Sequence, residues 1–257
     1  MAERDFIDLQ AKVALITGAS SGLGAHFSRV LAARGCTVAL MARRLQALQA
    51  VADEIKQAGG KALVLATDVT QLPALITSFD TILAQLGAVD IVINNAGIAR
   101  GAPFLEATDA DTADVFAVNQ AAVWRVAQLA CQQMQQAGKR GSVINIASVL
   151  GERVVKGLAS YSTTKAAVIQ MTRAMALEMA PYGIRVNAIA PGYCDTEINH
   201  EYLQSDSGHA MIERRVPMRR VAKLHELDGV LLLLASQQSS YITGATIPVD
   251  GGYMVGP

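Results

Sequence analysis

Lys12-Val13-Ala14-Leu15-Ile16-Thr17, followed by Gly18-Ala19-Ser20-Ser21-Gly22-Leu23-Gly24, decides the fold. The first six residues are a short apolar run that ends at a glycine cluster, the pattern of a buried strand. Ala25 to Arg34 then reads as a helix, with Gly35 as its C-terminal stop. Strand, glycine loop and helix in that order aim backbone N–H groups and a positive helix end at one point, which suits a phosphate. The glycines are spaced G-x-x-x-G-x-G, not the G-x-G-x-x-G of the common dinucleotide fingerprint.

The same alternation continues along the chain. Thr37 to Met41 is a second strand, Arg44 to Ala58 a helix broken by Gly59-Gly60, and Ala62 to Ala66 a third strand ending at Thr67-Asp68-Val69. Pro73 to Leu86 is a third helix, and Val89 to Ile93 a fourth strand that runs into Asn94-Asn95-Ala96-Gly97. Asp109 to Ala137 reads as one long helix containing Asn119, whose neighbours Val115, Phe116, Val118, Ala121 and Val123 make a buried role credible. Ser142 to Ala147 is a strand ending at Ser148, and Ile184 to Ile189 is another, turned by Ala190-Pro191-Gly192. From Tyr193 to Arg220 the polar, mixed sequence reads as a mobile lid with short helices. Leu224 to Ser236 is a last helix, and Thr246 to Val249 a last strand. Strands alternating with helices of this length argue for an α/β fold, a parallel sheet of about seven strands with helices on both faces. No linker or repeat interrupts residues 1–257, so a single domain is expected. Ligands of such sheets sit beyond the C-terminal strand ends. The polar clusters fall there: Gly18 to Gly24, Asp68, Asn94 to Gly97, and Ser148.

Tyr161-Ser162-Thr163-Thr164-Lys165 opens an apolar, helix-forming run. Positions i and i+4 share a helix face, so a phenol and an ammonium stand side by side. A free Tyr has a pKa near ~10. A cation within about 4–6 Å favours the phenolate and lowers it, which makes the pair a plausible general acid or base. Ser148, at its strand end, can hold a substrate oxygen before the Tyr.

Composition removes other classes. The formal net charge is zero, so no electrostatic footprint for nucleic acid is present. The longest aliphatic run, Val230 to Ala235, is far short of the ~20 residues that span a bilayer. Met1-Ala2-Glu3-Arg4-Asp5 lacks a signal-peptide start. Cys36, Cys131 and Cys194 suggest neither disulfides nor a zinc site, and a cytoplasmic location fits. His26, His200, His209 and His225 form no ligand spacing, so no metal is expected. Cys194 reads as a pocket-wall residue. Glu152 and Arg153 either line the pocket or pair at its rim. The arginines at 214, 215, 219 and 220 either meet an anionic substrate or form a solvated lid face.

Together these residues resemble the short-chain dehydrogenase/reductase family over nearly the whole chain. The resemblance rests on Thr17-Gly18-x-x-x-Gly22-x-Gly24, Asp68, Asn94-Asn95-Ala96-Gly97, Asn119, Ser148, Tyr161-x-x-x-Lys165, Asn187, and Pro191-Gly192 with Thr196. It implies a Rossmann-type doubly wound sheet and a nicotinamide-dependent interconversion of a ketone and a secondary alcohol. By that resemblance Tyr161 exchanges a proton with the substrate oxygen, and Lys165 lowers the Tyr161 pKa and binds the nicotinamide ribose. Ser148 orients the carbonyl, and Asn119 supports a water joining Lys165 to solvent. The loop Gly18 to Gly24, with Ser20, Ser21 and Leu23, holds the pyrophosphate side of the cofactor. Asp68 and Val69 contact the adenine, Asn95, Ala96 and Gly97 its ribose region, and Pro191, Gly192 and Thr196 the nicotinamide.

Cofactor choice follows from the second strand. The acid that grips the 2′-hydroxyl of NAD normally ends that strand, about 20 residues past the glycines. Here the position is Ala42, and Arg43 and Arg44 follow. A guanidinium binds a 2′-phosphate in a fork. NADP(H) is therefore expected over NAD(H), with Arg43 as the cofactor residue unless both arginines are solvated or pair with Asp68 or Glu54. The competing functions are a 3-oxoacyl reductase of a carrier-bound chain and a catalytically silent nucleotide-binding regulator. Tyr182 stands where bacterial carrier-dependent relatives often have a basic residue. The apolar helices around Asn119 and Tyr161, with small residues Ala121, Ala122, Ala166, Ala167 and Ala174, point to a homo-oligomer, and the resemblance to a homotetramer rather than a homodimer.

Overall fold

The computed structural model describes residues 7–196 and 199–256. The N-terminal stretch read above for a signal peptide, and positions 197 and 198 of the expected lid, lie outside the described residues.

Seven parallel strands form one sheet in the order β3-β2-β1-β4-β5-β6-β7. They are β1 Val13–Thr17, β2 Thr37–Ala42, β3 Lys61–Ala66, β4 Ile91–Asn94, β5 Ser142–Ile146, β6 Arg185–Pro191 and β7 Thr246–Val249. The order reverses between β1 and β4, which opens a crevice at their C-terminal ends, where ligands of doubly wound sheets bind. This is the expected Rossmann-type arrangement.

Strand residues alternate between two apolar layers, because successive side chains point to opposite faces. Ala14, Ile16, Val38, Leu40, Ile91 and Ile93 face helices α1 (Gly22–Ala33), α2 (Leu45–Gln57) and α9 (Asp228–Ala235) through Phe27, Leu31, Leu48 and Leu231. Val13, Leu15, Ala39, Met41, Val92 and Val143 face α3 (Leu72–Leu86), α5 (Ala122–Gln136) and α6 (Ala159–Met179) through Phe79, Ile82, Val126 and Met134.

Two helices differ from the reading of the sequence. Asp109 to Ala137 is not one α-helix: α4 (Asp109–Phe116) passes through a π-helical turn, Ala117–Ala121, before α5 begins. The physical reason lies in Asn119, whose side chain is fully buried and tied to a neighbouring segment, as described below. Likewise, Leu224 to Ser236 starts as a 3₁₀ turn, Leu224–Leu227, before α9. The expected lid does contain two short helices, α7 (His200–Leu203) and α8 (Asp206–Arg215). No helix among the described residues is long and apolar enough to cross a membrane.

Candidate active site

The fold brings Ser148, Tyr161, Lys165 and Asn119 together. β5 ends two residues before Ser148, which caps a short 3₁₀ turn, Val149–Gly151, by accepting from the Leu150 N–H at 3.1 Å. That turn packs on α6, so Ser148 faces the helix carrying Tyr161. The Ser148 hydroxyl is near enough to the Tyr161 phenol to favour its ionised form. Lys165, one turn along α6, is 4% exposed. Its Nζ donates to the Ile146 carbonyl at 2.7 Å and lies 5.6 Å from the Tyr161 ring centroid.

Burial governs both titrating groups. It pushes the Tyr161 phenol up, and the Ser148 hydroxyl works against that rise. The expected lowering of Tyr161 by Lys165 is thus not the controlling effect, because the ammonium is turned to a backbone carbonyl. Burial also pulls the Lys165 ammonium down to about 8.

Asn119 is fully buried. Its Oδ1 accepts from the Ile98 N–H at 2.9 Å, and its Nδ2 donates to the Ile98 carbonyl at 2.8 Å and to Thr164 Oγ1 at 3.3 Å. Asn119 therefore clamps the segment after Gly97 to α6. Gly97 lies between the two polar side chains: a Cβ there would stand 3.5 Å from Asn119 Oδ1 and 3.7 Å from Lys165 Nζ.

The glycine loop lies next to this group across β4. Gly18 and Gly22 have φ of +67° and +51°, the left-handed region that favours glycine. A Cβ on Gly18 would press on Ala96 Cα at 2.9 Å, and one on Gly24 would overlap the Gly18 carbonyl. A Cβ on Gly22 would meet only Thr196, at 3.7 Å, so backbone is open on that side. Asn95 fixes the loop from below: its Nδ2 donates to Thr17 O at 3.0 Å, while the Asn95 and Ala96 N–H groups both donate to Thr17 Oγ1 at 3.0 Å. Leu23 packs partly into the core. Asp68 accepts from Thr70 N–H at 2.9 Å, and Val69 is buried beside it. Pro191 ends β6, Gly192 N–H donates to Val249 O at 2.9 Å, and Thr196 Oγ1 donates to Asn199 Oδ1 at 3.1 Å.

The residues present fit a nicotinamide dinucleotide with a 2′-phosphate. Ala42 ends β2 without a carboxylate. Arg44, the N-cap of α2, reaches across to Ser21 Oγ at 2.7 Å and Ser20 Oγ at 3.3 Å. A guanidinium and two hydroxyls thus converge at the loop rim. Glu54 pairs with Arg29 at 2.6 Å. Arg43 is exposed next to it. Both arginines therefore stand at the end of β2, and the contact to the serines is made by Arg44.

The tempting extras are structural. His26 Nε2 pairs with Asp228 Oδ1 at 2.6 Å and ties α1 to α9. Cys194 is buried, and burial with the nearby Glu226 pushes its thiol up to about 11, far from a nucleophile. No His, Cys, Asp and Glu cluster among the described residues could hold a metal.

A family model described as enoyl-(acyl carrier protein) reductase matches residues 18–254. A solved structure of a short-chain type dehydrogenase/reductase from Mycobacterium marinum is 41% identical, covers 97% of this chain and 98% of its own, and superposes with a TM-score of 0.92. The chain belongs to the short-chain dehydrogenase/reductase family. Members of this kind are NAD(P)-dependent oxidoreductases of CH–OH and C=O groups, and so is this short-chain dehydrogenase/reductase. It is also similar to the 3-oxoacyl-[acyl-carrier-protein] reductase of Escherichia coli K12, 36% identical over 97% of this chain and all of that one. A gluconate 5-dehydrogenase from Burkholderia cenocepacia J2315, solved with NADP and tartrate, is 33% identical, covers 98% of this chain and 99% of its own, and has a TM-score of 0.93.

The Lys165 site makes a pH prediction. The free protein holds the ammonium charged below about 8 and loses the proton above it. NADPH affinity should therefore weaken as pH rises through that value, by up to about tenfold per unit. Lys165→Met should bind more weakly and show a flat profile. Titrating NADPH fluorescence from pH 6.5 to 9.5 checks this; a flat wild-type profile contradicts it.

Proposed function

We propose that this chain is a cytoplasmic, NADP(H)-dependent oxidoreductase that interconverts a ketone and a secondary alcohol. The Ser148–Tyr161–Lys165 group beside the glycine cradle, with Ser148 and Lys165 buried and Tyr161 half-buried, carries the reading. The bound nicotinamide supplies or takes the hydride. Ser148 holds the substrate oxygen in front of Tyr161, and the phenol gives that oxygen its proton in reduction or takes it in oxidation. Lys165 binds the ribose side of the cofactor. Asn119 keeps Ile98 and α6 in place, and supports the path by which Lys165 exchanges protons with solvent. A silent regulator would not need all four groups assembled in this way. The acyl-carrier reading uses the same chemistry and is supported by the similarity to the Escherichia coli enzyme, but Tyr182 in place of a basic residue stands against it.

The cofactor is NADP(H). The Arg44–Ser20–Ser21 cluster, with Arg43 beside it, matches a 2′-phosphate, and the Burkholderia cenocepacia relative was solved with NADP. A charge-assisted hydrogen bond contributes about 1.5–3 kcal/mol, or roughly 10–100-fold. Arg44→Ala should raise the NADPH KM by about that factor and leave NADH nearly unchanged, with Arg43→Ala acting in the same direction. Ala42→Asp should shift preference towards NADH. Absorbance at 340 nm with a ketone panel measures all three; a wild type equally efficient with NADH contradicts the assignment.

The same reading includes a homotetramer. On α6, Ala166 and Ala174 are exposed and Leu177 is 80% exposed, and Trp124 on α5 is 48% exposed. Small residues permit close helix approach, and an apolar face of this kind favours a partner. Light scattering at micromolar concentration should give about four times the 27.1 kDa chain mass. A stable monomer contradicts this.

A further inference from the structure

We propose that the substrate at Tyr161 is an uncharged ketone or alcohol with apolar substituents, and that Arg153 sets this choice by pinning the C-terminal tail as a pocket wall. The proposal rests on the reading of Tyr161 as the group that meets the substrate oxygen.

Tyr161 packs against an apolar cluster drawn from four separate segments. Val149 and Leu150 come from the turn after Ser148, Leu203 from α7, Ile212 from α8 and Tyr253 from the C-terminal tail. The cation best placed in sequence to meet a substrate carboxylate is Arg153, five residues past Ser148. Its Nη1 donates to the Tyr253 carbonyl at 2.7 Å and to the Gly256 carbonyl at 3.0 Å, and its guanidinium lies 5.7 Å from the Tyr253 ring centroid. The Tyr253 ring in turn meets Tyr193 edge-on at 5.5 Å. Asp250 stiffens the approach to Tyr253 by accepting from Gly252 and Met254 N–H groups at 2.9 and 2.8 Å. Arg153 is thus engaged by the protein's own chain end.

Among the lid arginines, Arg215 bears on Tyr193 at the edge of this cluster. Arg214, Arg215, Arg219 and Arg220 are all exposed, and Arg220 forms a fork with Glu226 at 2.7 Å in both arms. A carboxylate pressed against Val149, Leu150, Leu203 and Ile212 would lose its water without a partner among those side chains. An alkyl group there gains about fourfold in affinity per buried methylene.

Calorimetry on the Tyr161→Phe protein saturated with NADP+ separates binding from chemistry. The probes are 2-octanone, 4-tert-butylcyclohexanone and 5-keto-D-gluconate. At least one apolar ketone should bind about tenfold or more tightly than the ketogluconate. Adding Arg153→Met should weaken the ketone several-fold and leave the NADP+ Kd unchanged, with Arg153→Lys recovering part of the loss. Ketogluconate binding as tightly as the ketones, binding of neither ketone, or an Arg153→Met protein that binds the ketones unaltered overturns the proposal. NADPH oxidation by the wild-type enzyme is a separate readout: turnover of none of the three probes counts against the Tyr161 reading itself.

Discussion

A lysine ammonium held almost entirely out of water is the constraint on which the site depends. Lys165 is a partner to the Ile146 carbonyl because β5 stops there and Ala147 turns the chain toward Ser148. Burying the charge works against folding. Burial depresses the folded-state value to about 8, below the ordinary 10.5, so below about 8 the penalty is fully present, and it shrinks as pH rises towards 10.5. The fold tolerates this because strand end, α6 and the Asn119 clamp all converge on the same few ångströms. What it gains is a cation placed where the phenol and the Gly97 segment meet.

The clamp explains a feature that periodicity could not reveal. Asn119 satisfies both backbone groups of Ile98 and also reaches Thr164, so its side chain has no freedom to follow an ordinary helical turn. The backbone widens into a π-turn at that point, as such turns often do at functional sites. The apolar pattern on either side of Asn119 is continuous, and nothing in it signals the interruption.

Strands and glycine loop were legible because their causes are local: apolar runs of strand length, and glycines at positions of positive φ. The Tyr161–Lys165 pair was legible because helical spacing fixes it. The rest depends on contacts between distant segments. Arg44 rather than Arg43 turns to Ser20 and Ser21, because the entry of α2 sets its direction. Arg153 meets Tyr253 and Gly256 rather than Glu152, a pairing that spans about a hundred residues and has no sequence signature. Likewise, the direction of the Tyr161 shift follows from burial, which a sequence does not give.

In the proposed mechanism Tyr161 transfers the proton, and the groups around it hold cofactor and substrate. Tyr161→Phe keeps the ring and its packing and removes the acid. On a confirmed ketone, turnover should fall by at least ~100-fold, the usual size of general acid–base effects, while the NADPH Kd stays within about twofold of wild type, since a factor of two is well under 1.4 kcal/mol, the equivalent of one decade. A Tyr161→Phe enzyme that keeps most of its turnover would contradict proton transfer by Tyr161.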